Sequence, residues 1–285
     1  MRGAWIIAGF ALRESLRKRV FVVVALLTVA FLGLYALGTW QISQESGQWA
    51  PDDGIEGDVI AGATLLGLSM FATLFLGAIL AVFLTLSAVR GDAERGLLQP
   101  MIVRPLSRGT FLLGRYIAAA SVCAAYVIAV FLAAVVITNA FIGWWPDRLL
   151  VPALELGAAV AVIAALALAG SVVLSSTANG IAVFMIFGAG LTAGLLGQIA
   201  EPEALNSETL ENVSRTASWI LPFEALYLSA LSAVTADTVG FTRFAINLGP
   251  FGGAESFGVL LGPFVLAYVA TIGAAALWAF KRRDL

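Results

Sequence analysis

The sequence predicts an all-α polytopic membrane protein with six transmembrane helices. Of its 285 residues, 60% are hydrophobic and 12% are charged, whereas soluble domains carry about 25% charged residues. Six apolar runs are each long enough to cross a hydrocarbon core of roughly 30 Å as helices. Basic residues cluster before the first run, between the second and third runs, and after the last run. We therefore expect residues 1–285 to form a single transmembrane domain.

A basic, amphipathic segment precedes the first apolar run. Residues 1–19 carry apolar side chains such as Trp5 and Phe10 on one side and gather cations near Arg19, which predicts a helix lying on the membrane surface. A simple stop-transfer charge cluster is the alternative interpretation. The six spans are predicted over about residues 20–40, 59–89, 110–142, 150–174, 181–200 and 257–280.

The longest connection, residues 201–256, lies between spans five and six. It begins acidic and continues into an apolar run that ends at Ala236 and contains Pro222 and Glu224. A seventh span here would carry the basic C-terminus to the outer side. We therefore predict an outer loop with a re-entrant or interfacial element.

The basic residues also predict the orientation of the chain. All but three of the 16 lie in the N-terminal segment, in the loop between spans two and three, or at the C-terminus; the exceptions are Arg148, Arg215 and Arg243. Because connections rich in Lys and Arg stay in the cytoplasm, we predict a multi-pass protein of the cytoplasmic membrane with both termini inside.

The residues that are missing exclude several chemistries. The chain has no histidine and one cysteine, Cys123, so we expect no disulfide, no metal site and no catalytic residue. Neither of its two lysines, Lys18 and Lys281, follows a glycine, so the phosphate-binding loop G-x-x-x-x-G-K-[ST] is absent. No cofactor is therefore expected on this chain, and we do not predict an enzyme.

The most charged stretch, residues 90–109, connects spans two and three. It cannot lie in lipid and must sit at a membrane surface. A short helix is predicted from Asp92 to Gln99, bounded by Pro100 and Pro105, and Ser107 is a candidate cap for span three. Such a helix suits docking to a cytoplasmic partner, while a solvated loop on lipid headgroups is the alternative.

Three parts of this region resemble a known family. Glu94-Arg-Gly96, Arg104-Pro-Leu-Ser-Arg108 and Gly114-Arg-Tyr116 are similar to the signature loop of type-2 ATP-binding-cassette (ABC) exporter permeases. The basic surface helix, the six-span plan and the ending Phe280-Lys-Arg-Arg-Asp-Leu285 agree with that family. Arg115 stands where lysine is commoner, which preserves the charge.

The resemblance implies a transmembrane permease subunit of an ATP-driven exporter, with residues 90–109 as its coupling loop. Two copies of a separate ATPase subunit would bind ATP-Mg and push on the loop, and a second permease subunit, identical or a close paralogue, would complete the transporter in the membrane lipid. Glu94 and Arg108 are expected as polar contacts to the ATPase, and Leu97 and Leu98 as apolar ones. The full set of expected coupling residues is Asp92, Glu94, Arg95, Gly96, Leu97, Leu98, Arg104, Pro105, Ser107 and Arg108.

Two weaker candidate sites lie within the spans. Glycines of span five form a pattern that lets helices approach closely, either at the dimer seam or within one subunit; they are Gly188, Gly190, Gly194 and Gly197. Glu155 and Asn139, near the outer ends of spans four and three, are candidates for substrate contact because ionisable and polar groups are costly in lipid.

Two other functions compete with the exporter. A secondary transporter would normally show buried charges or interrupted spans in inverted repeats, and neither is evident in the sequence. A non-transporting membrane scaffold or a component of cell-envelope maturation is the other alternative. No nucleic-acid partner is predicted, and the apolar spans give a mild indication of lipophilic cargo.

Overall fold

The computed structural model describes residues 19–45, 57–86, 107–200, 208–236 and 257–282. Within these ranges the chain is helical, with eight helices and no strand. The helices are α1 Arg19–Glu45, α2 Gly57–Thr85, α3 Arg108–Ile142, α4 Leu150–Val173, α5 Ser176–Ala200, α6 Glu208–Ile220, α7 Pro222–Val234 and α8 Leu261–Lys281.

Six of these helices are long and apolar enough to cross a membrane, which confirms the predicted all-α fold with six spans. They are α1 to α5 and α8. The helices α6 and α7 have 13 residues each and are only about 20 Å long, too short to cross. Pro222 separates them, because it occupies the first turn of α7 and Leu221 before it is not helical.

The connection between α4 and α5 is shorter than the sequence predicts. We placed a turn over residues 175–180, but α5 already begins at Ser176. The reason is two hydrogen bonds of Asn179, one of them to the preceding helix: its backbone N–H donates to the Ser175 carbonyl at 2.9 Å, and its buried side-chain Nδ2 donates to the Ala167 carbonyl at 2.8 Å. Residues that favour turns in isolation are therefore held in the first helical turn.

The core is formed by α2, α3, α4 and α7, with α4 at its centre. Small residues let these helices approach closely. Gly77 of α2 faces Val127 of α3 and Val160 of α4 so closely that an added Cβ would clash. Gly157 of α4 faces Ala124 and Ile128 of α3, where an added Cβ would make ordinary van der Waals contacts.

The helices α1 and α8 are peripheral. Two hydroxyl pairs attach α1 to α3: Thr28 with Tyr126, and Tyr35 with Thr138, each at 2.5 Å between oxygens. The helix α8 packs on α4 and α3. Most of its contact near its last turn is apolar, around the buried ring of Phe280.

Several predicted segments lie outside the described residues. These are the surface helix up to residue 18, the coupling-loop residues 90–106 and the parts 201–207 and 237–256 of the outer loop.

Candidate functional site

The end of the bundle where α2 ends, α3 begins and α8 ends carries Arg108, Lys281 and Arg282, and we call it the basic end. Ser107 caps α3 here: its extended backbone precedes the helix, and its hydroxyl accepts a hydrogen bond from the Thr110 backbone N–H at 3.2 Å. The predicted cap is confirmed. Such a cap typically stabilises a helix by about 1 kcal/mol.

Arg108 joins the start of α3 to the end of α8. Its Nη1 donates to the Phe280 carbonyl at 2.6 Å and to the Lys281 carbonyl at 3.3 Å. Its guanidinium also lies 5.4 Å from the centroid of the Phe280 ring. The carbonyls at the end of a helix have no partner within that helix, so a guanidinium there satisfies them and complements the helix dipole.

A second arginine extends this cluster. The Phe280 ring lies 6.4 Å from the Phe111 ring, and the Arg115 guanidinium lies 5.6 Å from the centroid of Phe111. Two aromatic rings from α8 and α3 are thus flanked by two cations of α3. The start of α3 and the end of α8 are therefore joined through these side chains.

The predicted coupling loop leaves the bundle at this end. Leu86 is the last described residue after α2, and Ser107 is the first before α3. The expected contact residues between them lie outside the described residues; they are Asp92, Glu94, Arg95, Gly96, Leu97, Leu98, Arg104 and Pro105. Of the predicted set, Ser107 and Arg108 are described, and their roles toward an ATPase stay predictions.

Gly190 and Gly188 of α5 have different surroundings. Gly190 is buried, and a Cβ there would come within 2.7 Å of the Phe223 ring of α7, so this glycine serves a contact within the subunit. Gly188 has open space around its Cα. Gly194 is buried, and Gly197 lies farther along the same helix. The two interpretations of this pattern therefore concern different faces of α5.

Two helix faces have no partner among the residues that the structure describes. On α1 the residues spaced at helical intervals along one side are exposed, namely Val22, Leu26, Val29, Gly33, Leu37 and Trp40. On α5 the corresponding exposed or open set is Ile181, Met185, Gly188 and Thr192. Both faces carry a glycine near the middle, and apart from Thr192 their side chains are apolar.

At the opposite end of the bundle, Glu155 of α4 contacts α7. Its Oε1 accepts a hydrogen bond from the Ser229 hydroxyl at 2.7 Å, while its buried Oε2 has no hydrogen-bond partner among the described residues. Asn139 is half-buried on α3, and its backbone carbonyl accepts a hydrogen bond from the Gly143 backbone N–H at 2.9 Å. The substrate role of Glu155 and Asn139 stays a prediction.

The most deeply buried carboxyl group among the described residues was not among the predicted site residues. Glu224 in the first turn of α7 is fully buried, and neither of its carboxylate oxygens has a hydrogen-bond partner within the described part of the chain. Burial raises the pKa of Glu224 to about 8. The sequence feature that could have identified Glu224 is an acidic residue two positions after a proline within an apolar run.

Comparison with known proteins decides the family. The sequence matches the family described as ABC-2 family transporter protein over residues 5–285, nearly its full length. The chain belongs to this family. No curated protein matches the sequence.

Membership in the ABC-2 family indicates what type of protein this fold forms. The protein is the membrane permease component of an ABC transporter and spans the membrane several times. Members of this family are membrane components that do not carry the ATPase domain. The family implies partnership with a separate ABC ATPase subunit.

Proposed function

We propose that this permease is the membrane half of an ATP-driven exporter, and that residues 90–109 couple it to ATP hydrolysis on the partner subunit. Two ATPase subunits, each carrying ATP-Mg, would act on a dimer of permeases in the cytoplasmic membrane. The observation that carries the proposal is where this connection joins the described helices: it follows α2 and precedes Ser107 and Arg108, and Arg108 is hydrogen-bonded to the end of α8.

These two attachment points give a mechanical path from the loop into the membrane. The helices α2 and α3 pack together with α4 in the core, at the close contact of Gly77 with Val127 and Val160. Packed helices with close small-residue contacts shift as units and do not deform locally. Closure of the ATPases would therefore tilt α2 and α3 together, and Arg108 would carry α8 with them.

The unpartnered faces of α1 and α5 suit the second permease subunit. They are apolar, and the open space at Gly33 and Gly188 allows close helix approach. A dimer built on these faces would leave α4 and α7 inside each subunit, as observed. The cavity switched by ATP would then lie between the two subunits.

The proposed orientation follows from the charges of the basic end. Arg108, Lys281 and Arg282 lie at the end from which the coupling loop leaves. Basic connections stay in the cytoplasm, where an ATPase has access to ATP. Both chain termini then lie on that side.

Co-purification with the ATPase encoded in the same genome tests the proposal. We expect the tagged permease to recover the ATPase from membranes, and Glu94→Ala/Arg108→Ala to lower that recovery about tenfold, the effect of losing one strong interface contact. Because Arg108 also ties α3 to α8, Glu94→Ala alone is measured as well and should weaken recovery in the same direction.

Arg148→Ala is the matched control, since Arg148 is an exposed arginine at the opposite end of the bundle. It should recover as much ATPase as the wild type. Wild-type permease purified without any ATPase would contradict the proposal and favour a secondary transporter or a membrane scaffold.

A further inference from the structure

A groove at the basic end lies between α3, α4 and α8. It encloses about 360 Å³. Apart from Tyr116, whose hydroxyl donates to the Ala161 carbonyl at 3.5 Å, the side chains that line it are apolar. From Leu277 near the basic end to Val269 deeper in the bundle, the α8 wall extends about 12 Å.

Small side chains make this groove. Gly109 of α3 and Gly273 and Ala270 of α8 lie along it, and a Cβ at Gly273 would meet nothing within 4 Å. Gly273 and Ala270 are exposed on the surface of the described bundle. Since all three bordering helices are membrane spans, the groove opens toward the hydrocarbon region.

Cations surround its mouth. Gly109 and Leu277 form the mouth, and the residues that follow toward the basic end are Arg108 on α3 and Lys281 on α8. Lys281 and Arg282 are exposed, and the Arg282 guanidinium lies 3.8 Å from the centroid of the Trp278 ring on its own helix. An apolar groove with a basic mouth matches a molecule that has an apolar chain and an anionic head.

We propose that this groove binds one anionic phospholipid. One acyl chain lies along Gly273 and Ala270, and the phosphate lies against Lys281 and Arg282 beside Arg108. Basic pockets between spans bind anionic headgroups, with a contribution of about fivefold in affinity from each Lys or Arg near the surface. The site is separate from the exposed faces of α1 and α5 and does not depend on the exporter proposal.

The bound lipid would have a positioning role. It would fill the space between α3 and α8 at the place where Arg108 joins them, so that α8 follows α3 through lipid contact as well as through hydrogen bonds.

Native mass spectrometry of the full-length permease tests the site. The protein is released from nanodiscs made of equal parts of phosphatidylglycerol and phosphatidylcholine. We expect the wild type to retain phosphatidylglycerol in preference to phosphatidylcholine. Lys281→Gln/Arg282→Gln should lower this preference about 25-fold, from about fivefold for each cation, and Gly273→Leu should abolish retention by filling the groove.

Gly262→Leu is the matched control: Gly262 is an exposed glycine of the same helix with nothing within 4 Å of an added Cβ, and it lies away from the groove. It should retain lipid like the wild type. Equal retention by the wild type and Gly273→Leu would overturn the proposal. Chemical cross-links between residues 1–18 and the groove would also overturn it, because the N-terminal segment would then be the occupant.

Discussion

The helices α1 and α4 contain apolar stretches of the same length, 24 residues, and the same mean hydropathy, yet they have different surroundings. In the most apolar part of α4, 67% of the residues are buried inside the subunit, against 11% in α1. Among the described residues, the helix α4 packs on α2, α3, α5, α7 and α8, whereas the main contacts of α1 are with α2 and α3.

Side-chain size accounts for this difference better than hydropathy does. Lipid tails are as apolar as leucine, so burial between helices depends on close packing and hydrogen bonds. The helix α4 is rich in alanine and brings Gly157 against Ala124 and Ile128. The helix α1 instead turns Val22 and Leu26 outward. The core around α4 therefore holds the described helices together, and α1 lies at their periphery, where we propose that the second subunit binds.

The sharpest test of the core is the buried carboxyl of Glu224. Because its folded-state pKa is raised to about 8 from 4.5, the associated stabilisation is fully present below about pH 4.5 and is lost as the pH rises through about 8. At about 1.4 kcal/mol per pH unit, the free energy of unfolding should fall by about 4 kcal/mol between about pH 5 and pH 8. Denaturant unfolding in detergent at several pH values measures it.

Glu224→Gln should remove this pH dependence, because an amide does not titrate. Asp58→Asn is the control: Asp58 is exposed at the start of α2, and its substitution should preserve the slope of the wild type. If the wild type and Glu224→Gln lose stability in parallel as the pH rises, the carboxyl is not responsible.

Paired glycine substitutions compare the two regions directly. Gly77→Val in α2 places a side chain against Val127 and Val160, and such overpacking should lower the free energy of unfolding by about 1–3 kcal/mol. Gly38→Val in α1, outside the face proposed for the second subunit, meets open space and should change it by less than about 0.5 kcal/mol. Both are measured by the same denaturant titration, and equal losses would refute the division into core and periphery.

The smallest effect concerns the attachment of α1. Tyr35→Phe/Tyr126→Phe removes both hydroxyl pairs that join α1 to α3. Hydrogen bonds between membrane helices contribute about 0.6 kcal/mol each, so the double variant should lose about 1 kcal/mol. Tyr268→Phe, on α8 beside Phe264, is the control. A loss as large as that of Gly77→Val would make α1 part of the core.

Much of the architecture was predictable because apolar length and charge are local properties. The six spans and the Ser107 cap follow from residues that are close in sequence, and the structure contains both. The start of α5 was predicted too late because Asn179 is held by Ala167 on the preceding helix. A local pattern of turn residues does not contain that contact.

The candidate sites also divide into features that the local sequence predicts and features that depend on packing. The family match extends over residues 5–285, and the motifs that suggest it are continuous in the sequence. By contrast, the hydrogen bond from Arg108 to the Phe280 carbonyl joins residues that are 172 positions apart. Likewise, only packing shows that Gly190 faces Phe223 and that Glu224 is buried without a hydrogen-bond partner among the described residues.

The sequence by itself determined that this chain is a six-span membrane protein with a charged loop between spans two and three, because transfer of apolar residues out of water requires no knowledge of their neighbours. The tertiary structure decided which spans form the core, which glycines are contacts and where a groove opens beside Arg108. The hydropathy of a side chain does not distinguish burial in lipid from burial against another helix. These choices therefore depend on the shapes of the side chains that meet.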